Sequence, residues 1–227
     1  MADPHLDLLD WKRRILDLYR EVRAARDVRG AWRRWRATRD ALFAAHPQTP
    51  LPPRVRRRFV GLSYFPYDAE ARVLAAVRRR PPARVELADA DGRAFSMTRF
   101  ATASFTLRGR ALTLDLYWVE GYGGGVLLPF RDATSGRESY GAGRYVLDTV
   151  KGADLGSRGD RLVLDFNFAY NPSCAYDPRW SCPLPPPANW LGVPVRAGER
   201  APVDPPSRVA ARRAQDRSGP RTNTRPR

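Results

Sequence analysis

Residues 112–118 read Leu-Thr-Leu-Asp-Leu-Tyr-Trp, and this alternation decides the fold. Successive side chains on a strand point to opposite faces, so Leu112, Leu114, Leu116 and Trp118 share one face and Thr113, Asp115 and Tyr117 the other. One side suits a core and the other suits water, as in an antiparallel sheet with a solvated face. The same texture continues on both sides. Arg84–Leu87, Phe95–Phe100 and Ser104–Leu107 are β-prone runs, punctuated by turn signals at residues 89–92 and at Arg108-Gly109. Val126–Phe130, Arg144–Val150 and Arg161–Phe168 add strands between Gly-rich or polar turns. Six or seven short strands predict a curved antiparallel meander sheet or partial barrel.

Upstream, the apolar period changes from two to 3.6. Asp3 and Pro4 form an N-cap and a first-turn proline, and Leu8, Trp11, Ile15, Leu18, Val22 and Ala25 line one helical face. After Gly30 a second stripe, Ala31, Trp35, Thr38, Leu42 and Ala45, stops before Pro47, with Trp32, Phe43 and the arginines flanking it. This predicts a helical pair packed against the main domain with its arginines solvated outside, or else a basic helix docking on a polyanion. Residues 48–53 form a Pro-rich connector. Asn171–Pro194 is loop-like, and its Trp180, Leu184, Trp190 and Leu191 should anchor it to the domain. Beyond Glu199 the Pro, Arg, Ser and Ala composition predicts disorder. The expected organisation is a helical arm (1–48), a β-rich domain with a Pro-rich, Cys-containing loop (49–200) and a disordered basic tail (201–227). The class is α+β, mainly β.

A chain of 227 residues suits one core with appendages. No stretch reaches the roughly 18–20 apolar residues of a membrane span, and the N-terminus lacks the apolar segment of a signal peptide. A cytoplasmic protein is expected, with Cys174 and Cys182 as thiols. The net charge of +16 raises nucleic acid as a partner, but its distribution is uneven. Residues 1–60 carry 15 Lys and Arg against 7 Asp and Glu, residues 61–195 carry 16 against 14, and residues 196–227 carry 9 against 3. The middle is nearly neutral. Only Lys12 and Lys151 are lysines, an Arg bias that a GC-rich coding composition also produces.

Two constellations carry the candidate chemistry. Arg131, Asp132, Thr134, Glu138, Tyr140, Arg144 and Tyr145 surround Gly136, Gly141 and Gly143, a mixture able to hold an anionic or hydroxylated small molecule. The same residues also suit a self-capped turn with an Arg–Glu pair. Asp165, Asn167, Asn171, Cys174, Tyr176, Asp177 and Cys182 form the second set. Asp165 and Asn167 share one side of a strand, facing either a pocket or an interior hydrogen-bond network. Cys174 is a candidate nucleophile, and Asp132, Glu138, Asp148 and Asp165 are candidate acids or bases, with no spacing that selects a pair among them. The histidines, His5 and His46, both lie in the arm, so a Cys–His pair requires His46 to fold back over the loop. Two cysteines eight positions apart cannot close a zinc site unless Asp165, Asp177 or His46 joins them. No phosphate-loop or calcium-loop spacing occurs, and no metal or cofactor is expected.

The run from Leu128 to Tyr145, the run from Asp165 to Tyr176, residues 182–189 and Arg196–Glu199, together with segments 46–51 and 64–68, resemble the bacterial and archaeal domain of unknown function 1684 family. The resemblance covers roughly residues 30–200 and implies no reaction. Ala142 and Ala188 stand where the family pattern has Gly and Glu. Two functions are therefore expected. One is a β domain binding a small polar ligand, with or without hydrolytic chemistry, through Arg131, Thr134, Tyr140, Arg144, Tyr145, Asn167, Asn171 and Tyr176. The alternative is an adaptor that holds nucleic acid or an acidic partner through its basic arm and tail.

Overall fold

The computed structural model describes residues 3–88 and 94–203. Helix α1 (Pro4–Ala24) is capped by Asp3, whose carboxylate accepts from the N–H groups of His5 and Leu6. Helix α2 (Val28–Ala45) begins before the apolar stripe does, because Asp27 caps it and accepts from the Gly30 N–H at 2.9 Å. Gly30 therefore lies inside the helix. α2 buries Ala31, Trp32, Trp35, Leu42 and Phe43, and Arg39 with them. The expectation that every arginine of the pair is solvated fails there. A single turn, α3 (Pro53–Arg56), follows the connector.

Seven strands form one antiparallel sheet curled into a half-barrel: β1 (Arg72–Ala88), β2 (Ala94–Leu107), β3 (Arg110–Val119), β4 (Gly125–Phe130), β5 (Arg144–Asp148), β6 (Ser157–Arg158) and β7 (Arg161–Asp165). Their order is β5-β4-β3-β2-β1-β7-β6, so the first five form a meander and β7 returns beside β1. β1 is longer than its alternation suggests. Its register slips between Arg79 and Ala83, which places Pro81 and Pro82 in a bulge where the ladder needs no N–H from them. β2 is continuous through Ala101–Ala103, with Phe100 as the extra residue of a second bulge. Arg108 and Gly109 both have positive φ, the geometry of a two-residue hairpin matched to strand twist.

One sheet face carries Val73, Ala75, Ala101, Ala103, Phe105, Leu114, Leu116, Leu128, Phe130 and Leu164, and it packs against Phe166, Leu191, Val195 and Ala197. On the opposite face Met97, Tyr117, Leu127, Tyr145 and Val163 meet Ile15, Leu18, Tyr19, Val22 and Trp35 from the helices. Both helices thus share a core with the sheet. Their cover reverses one expectation at the end of β3, where Tyr117 is buried and Trp118 is 43% exposed.

β3 and β4 pair only over Tyr117–Val119 and Gly125–Leu127, then separate. Asn189 closes the gap. Its Oδ1 accepts from the Asp115 N–H at 2.9 Å, and its Nδ2 donates to the carbonyls of Asp115 (2.9 Å) and Pro129 (2.7 Å). From there residues 191–201 run as a strap over the domain, with Phe65 donating to Gly198 O, Glu199 to Ala169 O and Arg200 to Ser63 O. Gly198 has φ of +77°, and a Cβ there would stand 2.5 Å from Phe166 O, so only glycine lets the strap approach this closely. The turn at 89–92, and the expected disordered tail from residue 204 onward, lie outside the described residues.

Candidate functional site

The residues singled out from sequence fall into three groups, each with a buried centre. In the first, the fully buried Arg144 guanidinium donates to Asp132 Oδ2 at 2.8 Å, to the carbonyls of Val195 (2.9 Å) and Glu199 (3.1 Å), and to Ala197 O. Its charge lies 5.1 Å from the centre of the Phe130 ring. Burial lowers its pKa and Asp132 opposes that. Asp132 Oδ1 accepts from the N–H groups of Thr134 and Val195, and the Thr134 hydroxyl shares a hydrogen bond with Ser139. Arg144 therefore ties β5 to the strap. Glu138 meets Arg196 at the surface, which lowers its carboxyl pKa, and Arg131 stacks 4.5 Å from the Trp190 ring centre.

A second arginine extends this group. Arg39 donates to Glu199 Oε2 at 2.8 Å and to the Tyr64 hydroxyl at 3.2 Å, while the Asn171 N–H donates to the same carboxylate oxygen. Arg39 and Glu199 are invisible to a reading of apolar periods, but Arg39 does sit at helical spacing from Trp35 and Leu42, within the buried stripe. Burial is the largest influence on Glu199 and pushes its pKa from 4.5 up to about 7, against Arg39 and Asn171. The folded state thus holds a proton that the unfolded chain releases near pH 4.5. The group's contribution to stability is fully present below that value and declines as pH rises to about 7. Denaturant midpoints at pH 5 and pH 8 check this. Wild type should lose stability over the interval relative to Glu199→Gln, and parallel profiles would refute it.

The second group joins Asp165 and Asn167 to the segment before β1. Asn167 donates to Asp165 Oδ1 through its backbone (3.0 Å) and its amide (2.8 Å), and also reaches Asp68 O at 2.6 Å. Asp165 Oδ2 accepts from Arg72 at 3.2 Å, and burial raises the Asp165 pKa. Trp32 donates its indole N–H to Asn167 O. Of the two roles open to this pair, the geometry is that of an interior network.

The third group is the thiol pair. Cys174 and Cys182 are free and buried in one apolar cluster, and the Tyr140 hydroxyl lies 3.8 Å from Cys174 Sγ. The Tyr145 hydroxyl donates to Pro183 O at 2.6 Å, and Tyr176 is buried in the same apolar cluster, which fixes the loop as expected. His46 does not fold back over the thiols. Its Nε2 faces Asp10 Oδ2 at 3.1 Å, and its Nδ1 accepts from the Gln48 N–H. Among the described residues, no three His, Cys, Asp or Glu side chains gather as a metal site, and no helix is long and apolar enough to cross a membrane.

Sequence reasoning missed the groove at the hairpin end of the sheet. It encloses about 760 Å³ and is lined by Glu70, Arg72, Val73, Leu74, Ser104, Phe105, Thr106, Ala111, Leu112, Thr113 and Arg161. Register explains the clustering. Thr113 pairs with Ser104, Ser104 with Ala76, and Ala76 with Arg161, so one lateral row across β3, β2, β1 and β7 carries two hydroxyls and a guanidinium on the same face. The small Ala76 leaves the row open at its middle. Among the described residues, Arg161 and the hydroxyls of Ser104, Thr106 and Thr113 make no side-chain hydrogen bond or ion pair with the rest of the protein.

A family model described as protein of unknown function (DUF1684) matches residues 57–200. That span holds every strand, the thiol loop and the strap to Arg200, and it begins after α2. The solution NMR structure of an uncharacterized protein from Haloarcula marismortui is 40% identical, with the alignment covering 78% of this chain and 96% of that chain at a TM-score of 0.57. Among curated proteins there is no match.

Proposed function

Since the chain belongs to the DUF1684 family of proteins of unknown function, its role has to be read from its own surface, and we propose that it binds a small anionic ligand in the open groove. The observation that carries this reading is the Thr113–Ser104–Ala76–Arg161 row, which leaves donors facing solvent beside Arg72. Arg72 contributes one N–H to Asp165 and keeps others for a ligand. Leu74, exposed on the same face, adds apolar contact, in a volume within the usual range of ligand clefts. Glu70 limits the ligand to modest negative charge. None of the groove hydroxyls is hydrogen-bonded to a base among the described residues, so binding is favoured over hydrolysis.

The adaptor alternative has less support. Several arm arginines are engaged within the protein: Arg14 pairs with Asp10, Arg20 with Asp17, and Arg39 is buried with Glu199.

Exposed arginine–anion pairs are worth about 0.2–1 kcal/mol each. Phenyl phosphate should therefore bind weakly, with Kd on the order of 1 mM, or about −4 kcal/mol. A two-dimensional amide NMR titration of the full chain should move resonances of residues 72–76, 104–106, 111–113 and 161. Arg161→Glu should weaken binding about fivefold, roughly 1 kcal/mol. Shifts scattered over all surface arginines, or an Arg161→Glu variant that binds as wild type, would remove the proposal.

A further inference from the structure

We infer that the free edge of β1 beyond Pro82 docks a second copy of this chain, the two strands pairing antiparallel about a two-fold axis at Val85. β1 has two strand neighbours for only part of its length. β7 pairs with it over Arg72–Ala76, and from Val77 onward β2 is its sole strand partner. Among the described residues, no backbone hydrogen bond joins Ala83–Glu86 to anything but β2, so alternate N–H and C=O groups along the other edge face water. The far end of the sheet is closed instead: on the edge strand β5, Tyr145 pairs with Tyr170 and Asp148 with Ala153. Protection of the open edge is confined to its first part. Arg78 and Arg79 are exposed like charges, and Pro81 and Pro82, which lack N–H groups, stand in the bulge that bends the strand. These residues keep an incoming strand from extending toward β7.

Beyond that protection the edge carries Arg84, Val85 and Glu86, and the two charged side chains are 76% and 53% exposed. Both lie on one face of the sheet, where Arg84 is opposite Thr98 and Glu86 opposite Ser96 in the ladder to β2. Charge then selects both the occupant and the register. A two-fold axis perpendicular to the sheet keeps the faces of the two copies matched, so some residue must stand opposite its own copy. Centred on Arg84 the axis opposes two arginines, and centred on Glu86 it opposes two glutamates; like charges directly opposite are destabilising. Centred on Val85 it sets Arg84 against the partner's Glu86 and Glu86 against the partner's Arg84, two attractive cross-strand pairs. The strand that complements Arg-Val-Glu in the antiparallel sense is therefore Arg-Val-Glu itself. Within one chain Arg84 Nε donates to Glu86 Oε1 at 3.2 Å. So exposed a pair contributes little, and the guanidinium has further donors, so exchanging it for two cross-strand pairs costs little. The contact uses the same edge of each copy, so the assembly closes as a dimer.

The test is sedimentation velocity of the full-length protein from micromolar to millimolar concentration, which should show a reversible monomer–dimer equilibrium that added salt weakens. Arg84→Glu alone and Glu86→Arg alone should each raise the dimer dissociation constant at least about tenfold, because each opposes like charges. Mixed in equal amounts, the two variants should associate with one another about as tightly as wild type, since every cross-strand pair in the mixed dimer is again unlike. Amide exchange at Ala83–Glu86 should slow as the wild-type concentration rises. The inference is overturned if wild type is monomeric throughout, if its dimer survives both single reversals, or if the mixed variants fail to associate while each alone keeps the far-ultraviolet circular dichroism of wild type. A variant that loses that spectrum is replaced by the milder pair Arg84→Gln and Glu86→Gln, each of which should weaken the dimer in the same direction.

Discussion

Arg144→Met should destabilise the domain by about 4 kcal/mol or more, because it breaks a buried ion pair from one side and leaves its partner uncompensated. Arg144 is fully buried, and its guanidinium serves Asp132 and three strap carbonyls. Methionine fills similar volume, so the loss lies in the polar groups. Each buried acceptor left without a donor costs about 1–3 kcal/mol, and Asp132 keeps only the two N–H donors on Oδ1. In a protein whose whole stability is about 5–15 kcal/mol, such a loss approaches unfolding at ambient temperature. Urea denaturation gives the single-variant value. A double-mutant cycle with Asp132→Leu separates the pair from the strap: if the pair dominates, the double variant loses less than the sum of the singles. A loss below about 1 kcal/mol for Arg144→Met would show that water reaches the strap, contrary to its burial.

Trp35→Ala should cost about 3–5 kcal/mol, the range for emptying a buried aromatic site. Trp35 has no exposed surface, and its ring meets Tyr19, Tyr64 and Phe168 at centroid distances of 6.5, 5.6 and 5.2 Å. These neighbours come from α1, the segment before β1 and the turn after β7, so the cavity opens where three parts of the chain converge. The Arg39 guanidinium, 4.9 Å from the same ring, also loses support. Trp35→Phe keeps a ring and most of the volume, and should cost well under half as much. Equal denaturation midpoints for the two variants would mean that the site collapses around the smaller residue and that Trp35 is not the hub of this junction.

Much of the architecture is legible in the sequence because it follows from local periods. Asp3 and Pro4 mark a helix start, alternation through residues 112–118 marks a strand, and Arg108-Gly109 marks a hairpin; each needs only neighbouring residues. Legibility fails where tertiary context overrides propensity. Pro81 and Pro82 interrupt the strand signal, yet a bulge absorbs both. Ala101–Ala103 is weakly β-prone, but a central position between two neighbours supplies the pairing. The candidate polar residues are recognisable as unusual, while their assignments depend on partners far away in sequence: Arg144 with the strap, Arg39 with Glu199, and Asn167 with Asp68. The groove is less legible still. Ser104, Thr113 and Arg161 become neighbours only through the register of four strands, and a one-residue slip would move any of them to the other face.

The pairing of Arg39 with Glu199 spans 160 positions of the chain. During synthesis the second helix leaves the ribosome long before the carboxylate that neutralises its buried cation. At about 5–20 residues per second this wait lasts on the order of ten seconds or more. Until then that guanidinium has to stay hydrated, so the helix cannot settle fully onto the sheet. The nascent protein is obliged to finish from its last segment inward, with final docking of its earliest part as a late event.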